Sequence, residues 1–155
     1  MCIRDSTTAA QYIQCQNTNG TVGNITWGGS STSYNTSSDY RLKENVVDLN
    51  NATTRLKQLK PKRFNFTADD SVTVDGFLAH EVSSIVPEAI SGTKDELETW
   101  QSFEDLPDGV SAGDNKLDDD GNTIPKYQAI DQSKLVPLLV KTIQELEARI
   151  AALEA

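Results

Sequence analysis

The chain has 155 residues, of which 37% are hydrophobic, and a formal net charge of −9 at pH 7. That length suits one modest domain with appendages, and the low apolar fraction suits an elongated or oligomeric protein better than a compact enzyme with a deep core. The acidity argues against nucleic acid and anionic membranes as partners, and the apolar runs are far too short to cross a membrane. Two cysteines, Cys2 and Cys15, and a single histidine, His80, cannot supply the four or so ligands of a structural zinc site. No metal and no cofactor are expected.

The opening MCIRDS lacks the apolar core of a signal peptide. It also differs in style from the rest of the chain, so residues 1–6 read as an artefactual start and the chain as the C-terminal part of a longer one. Residues 7–37 are rich in Thr, Ser, Asn and Gly. Within them 11–16 alternates as a strand, 17–20 turns, and 21–27 can return as a second strand. Residues 28–33 are predicted to break the pattern. A lone hairpin is marginal in water, so this piece needs further strands or partner subunits.

The character changes at Ser37-Ser38-Asp39. Leu42, Val46, Leu49, Leu56 and Leu59 come next at helical spacing, interrupted at 50–53, with Ser38 or Asp39 a cap for the first helix and Asn51 or Thr53 for the second. Pro61 closes that second helix. Residues 63–67 and 72–79 read as strands around a turn at 69–71, with a kink or bulge at Gly76. Residues 80–86 read as a short helix closed by Pro87. Residues 91–124 read as a long polar excursion, and 127–130 as a returning strand. Asp118-Asp119-Asp120-Gly121 does not fit an EF-hand register and is read as an acidic turn. His80-Glu81 is read as structural, and Trp27 and Trp100 as packing residues before sugar-binding ones.

Asp131 or Ser133 caps the final helix, whose first turn contains Pro137. Val136, Leu139, Ile143, Leu146, Ile150 and Leu153 recur at alternating spacings of three and four, a heptad seam that fits oligomerisation. Leu135 and Leu138 widen the stripe at its start, so that end is expected to pack on the domain as well. A single amphipathic helix folded on its own domain is the plainer alternative. The fold class expected is α+β: a β-rich stub over 1–37, a small mixed domain over 38–134 and an oligomerisation helix over 135–155.

Four segments in this order, Ser38–Val46, Gly76–Val82 with Pro87-Glu88, Tyr127–Asp131 and Leu135–Leu146, resemble the C-terminal intramolecular chaperone domain of phage endosialidases, tail fibres and tailspikes. The resemblance covers residues 38–155. It implies a homotrimer that guides folding of the upstream fibre sequence in the same chain and then releases itself by autoproteolysis. Carried onto this sequence, Ser38 matches the nucleophile, Lys43 the general base, and Ser37–Ser38 the bond cut. His80 departs from the family pattern, which commonly reads Gln there. The resemblance also implies assembly in the host cytoplasm, with the fibre part in the virion tail and the chaperone part shed. A non-cleaving structural or receptor-binding fibre tip is the alternative.

Spacing adds a constraint of its own. Five helical residues turn roughly 500°, so Ser38 and Lys43 cannot share one helix face. Ser38 must stand outside the helix that carries Lys43. Read from the residues alone, Ser38 is an N-cap and Lys43 a solvated lysine; the catalytic reading of the pair comes from the family resemblance.

Overall fold

A computed structural model describes residues 10–18, 20–28 and 30–155. Cys2 and the MCIRDS opening lie outside the described residues, and Cys15 is an exposed free thiol. Among the described residues the architecture is mixed α+β, with three small sheets and a long C-terminal helix. The chain divides into two compact units, Met1–Asp48 and Leu49–Ala155. The 37–38 boundary drawn from composition therefore falls inside the first unit.

In the first unit β1 (Ala10–Asn17), β2 (Gly20–Gly28) and β3 (Ser31–Thr36) form an antiparallel sheet in that order. The hairpin joining β1 and β2 was legible. The third strand was not: STSYNT has no apolar alternation, and all six residues are exposed. It forms because its backbone ladder pairs with β2 from Gly28↔Ser31 to Gly23↔Thr36. Asn35 Nδ2 adds cross-strand bonds to Asn24 Oδ1 (2.8 Å) and Thr26 Oγ1 (3.3 Å).

After β3 the predicted first helix is only a single 3-10 turn, Tyr40–Leu42. Lys43 is already extended, and Asn45 takes a left-handed φ of 54° that stops a right-handed helix. Leu42, Val46 and Val47 are exposed, so no buried face exists to hold a longer helix together.

In the second unit α1 (Ala52–Leu56) is followed by the hairpin β4 (Lys62–Phe66) and β5 (Asp69–Gly76). The register shift in this hairpin falls at Asn65/Phe66 rather than at Gly76. α2 (Ala79–Val82) and a 3-10 turn at Pro87–Ala89 lead into β6 (Ile90–Ser91), which pairs with β7 (Ala129–Ile130). A 3-10 turn at Gln132–Leu135, capped by Asp131, opens into α3 (Val136–Glu154).

Among the described residues the buried core is Ala52, Val82, Val86, Ala89, Leu135 and Leu138, with Leu49, Leu56, Phe77 and Ile130 among the half-buried residues packed against it. Neither predicted residue caps α1 through its side chain. Asn51 occupies the cap position with a left-handed φ of 57° and makes no side-chain bond. Instead Glu145 of α3 accepts from Ala52 N (3.0 Å), Thr53 N (2.9 Å) and Thr53 Oγ1 (2.6 Å). A carboxylate there satisfies free N–H groups and meets the positive end of the helix dipole.

The 91–124 excursion is not a plain loop. Isolated antiparallel bridges join Leu97 to Pro125, Thr99 to Asn115 and Leu117 to Thr123. Ion pairs Lys116–Glu104 (2.5 Å) and Lys126–Glu96 (2.7 Å) brace it, and Lys116 Nζ lies 4.7 Å from the Trp100 ring centre. The bond from Lys126, with those that Glu96 accepts from the Thr93 N–H and hydroxyl, holds the Glu96 carboxyl down to about 2. The Asp118 carboxylate accepts from the N–H groups of Asp120 and Asn122, which makes the acidic run a side-chain-closed turn. Among the described residues no helix is long and apolar enough to cross a membrane.

Candidate active site

The candidate site is built on the few residues just after β3. Ser37 still belongs to the sheet: its N–H donates to Val22 O at 3.0 Å and its hydroxyl to Thr21 O at 2.7 Å. One residue later the ladder ends. Asp39 starts the 3-10 turn with extended backbone (φ −63°, ψ 138°), and its carboxylate caps that turn by accepting from Arg41 N at 2.9 Å. Of the two predicted caps, Asp39 is therefore the one used.

The turn is short enough to bring both ends of the motif together. Leu42 N donates to Asp39 O and Lys43 N to Tyr40 O, each at 3.1 Å. The backbone then straightens at Lys43 (φ −125°, ψ 140°), and its side chain runs back along the turn. Lys43 Nζ donates to Ser38 Oγ at 2.7 Å. Neither residue is in an α-helix, so the geometric objection to a five-residue spacing is met by a tight turn in place of a helix end. Both side chains are exposed, and they meet within one chain.

Arg41 shapes the electrostatics beside this pair. Its Nε and Nη2 each bond the Asp39 carboxylate at 2.9 Å. The Arg41 side-chain bond, then its backbone N–H, hold the Asp39 carboxyl below the ordinary carboxylate range, with a smaller contribution from the charge of Lys43. The carboxylate next to the serine is thus engaged by the arginine rather than aimed at the lysine amine. Arg41 thus engages both oxygens of one carboxylate two residues away, a bidentate arrangement.

Residues 38–91 match the model of a peptidase family, chaperone of endosialidase. The chaperone-of-endosialidase match spans about a third of the chain and takes in two of the four motifs, Ser38–Val46 and Gly76–Val82 with Pro87-Glu88. The resemblance read from those motifs is borne out over this stretch, which supports a chaperone role and a self-cleaving peptidase class. No curated protein matches the chain. The serine, the lysine and the short turn that joins them open the matched segment.

The six seam residues lie elsewhere, on α3. Val136, Leu139, Ile143, Leu146, Ile150 and Leu153 range from 41% exposed at Leu146 to 87% at Leu153. The stripe one residue behind them, Leu135, Leu138, Thr142 and Glu145, faces the domain. The start of the helix thus packs inward through Leu135 and Leu138, as their positions led one to expect. His80 borders an open groove with Lys57, Lys60, Glu81 and Ser84, away from the serine–lysine pair in sequence and in a different compact unit.

Proposed function

We propose that this chain is an intramolecular chaperone that assists folding of a phage tail fibre or tailspike sequence and then releases itself by cutting the 37–38 bond. The observation that carries the reading is the 2.7 Å bond between Lys43 Nζ and Ser38 Oγ at the start of the segment that matches the chaperone family. Ser38 is the nucleophile, Lys43 the base, and the reaction occurs once per chain.

The nucleophile directly follows the bond it cuts. Ser38 Oγ attacks the carbonyl carbon of Ser37 while its proton passes to an unprotonated Lys43 Nζ. The carbonyl carbon–nitrogen bond breaks, and the Ser38 nitrogen takes up the proton as an amine. What remains is an ester between the Ser37 carboxyl and Ser38 Oγ. Water hydrolyses it, leaving a Ser37 carboxylate and a free Ser38 hydroxyl. In the resting arrangement Nζ donates to Oγ, whereas attack needs the opposite polarity, with Nζ accepting. Assembly into a homotrimer through the exposed α3 seam, in the host cytoplasm, supplies the folding function. The fibre part then remains in the virion tail and the chaperone part is shed.

The test is direct. Mass spectrometry of the expressed chain should find a new N-terminus at Ser38. Ser38→Ala and Lys43→Ala should each abolish it, a fall of at least about a thousandfold. Normal cleavage by both variants would remove the dyad. An intact chain that still assembles would point to the non-cleaving fibre tip.

A further inference from the structure

Ser37 donates to two carbonyls of the neighbouring strand, and it carries the carbonyl that the proposed reaction attacks. Its N–H bonds Val22 O and its hydroxyl bonds Thr21 O, so the residue is held by backbone and side chain on the same stretch of β2. Thr21 is itself fastened from the opposite strand, since Gln14 Nε2 donates to Thr21 Oγ1 at 2.7 Å. The contact between β2 and β3 is also unusually close at this end. A Cβ on Gly23 would lie 2.7 Å from Asn35 O, so only glycine lets the two backbones approach as they do just before Ser37.

We propose that Ser37 is a positioning residue for cleavage: anchored to the Thr21 and Val22 carbonyls, it fixes the 37–38 carbonyl at the end of β3 while the following turn swings the Ser38 hydroxyl and Lys43 amine towards it. This inference rests on the cleavage reading and adds a role for the three-stranded sheet. The attacking atom and the attacked carbonyl belong to adjacent residues, so their approach depends on backbone torsions at 37 and 38 and not on docking of a separate substrate. Fixing one side of that bond in a sheet leaves the torsions on the Ser38 side to set the geometry of attack, the arrangement in which orientation contributes most to rate. The hydroxyl of Ser37 is not a nucleophile in this scheme. It acts through the carbonyl it immobilises.

The experiment monitors cleavage of the 155-residue chain during cell-free synthesis, with product identified by mass. Ser37→Ala removes the Thr21 bond and should slow cleavage by about tenfold, while Ser37→Thr, which keeps a hydroxyl, should restore it. Gly23→Ala pushes β3 from β2 without touching the motif and should slow cleavage as well. Ser38→Ala runs in parallel. If it still cleaves, or if the unaltered chain does not cleave, the cleavage reading falls and this inference with it. If Ser38→Ala is inert but Ser37→Ala cleaves at the parental rate, only the positioning role is overturned. The same holds if Ser37→Thr fails to rescue a slowed Ser37→Ala.

Discussion

At the scale of single residues, Thr142 is the sharpest inconsistency in the core. It is 3% exposed on the inward stripe of α3, and its Oγ1 has no hydrogen-bond partner among the described residues. A buried hydroxyl left unbonded costs about 1–3 kcal/mol, so Thr142→Val should raise stability by about 1 kcal/mol, read as a higher urea midpoint with an unchanged slope. A loss of stability instead would mean that the hydroxyl has a partner in the assembled protein. The serine–lysine pair presents the opposite case, because its residue types and spacing were readable and its geometry was not. A five-residue separation excludes a shared helix face, which is as far as spacing goes. That a 3-10 turn closed by Asp39 and Arg41 would bring the ends together depends on a local hydrogen-bond set that competes closely with an ordinary helix start.

Between elements, the Glu145 cap couples α1 to α3. Its bonds to the Thr53 hydroxyl and N–H, then to Ala52 N–H, hold the Glu145 carboxyl below its ordinary value near 4.5. A depressed carboxyl stabilises the fold in full above that ordinary value, and the contribution disappears as pH falls through the lower folded value. Thermal unfolding measured from about pH 7 to pH 3 should therefore show a stability loss that is smaller in Glu145→Gln, whose melting temperature should already be several degrees lower at neutral pH. Equal acid sensitivity in the two proteins would assign the loss to other carboxylates. No cap of this kind is legible in a sequence, since donor and acceptor are 93 residues apart. Local signals pointed to Asn51 or Thr53, and Thr53 does take part, as a donor. The same limit explains β3, whose polar residues carry no alternation and are held by pairing alone, and the excursion, whose bridges and ion pairs join residues of no shared pattern. The β1–β2 and β4–β5 hairpins and α3 were legible because turn chemistry and periodicity are local.

For the whole molecule, the outstanding property is how little of the described chain is buried. Among the described residues six apolar ones form the core, while Ile143, Ile150 and Leu153 stay more than half exposed on a continuous stripe. In the proposed trimer that stripe is the interface. Ile143→Asp combined with Ile150→Asp should convert the assembly to monomers in analytical ultracentrifugation, with α3 still helical by circular dichroism because Leu135, Leu138 and Glu145 continue to hold its start. An unchanged mass would place the interface elsewhere. The heptad pattern was readable since it repeats within one helix; which of two neighbouring stripes turns inward was decided by Glu145 and α1, distant in the chain. That distance also sets a schedule during protein synthesis. The ribosome makes α1 some ninety residues before the carboxylate that caps it, and at about 5–20 residues per second several seconds separate the two. The first helix of the second unit thus waits with its N-terminus uncapped while most of that unit is translated, and the core that Leu135 and Leu138 complete can close only once nearly the whole unit has been made.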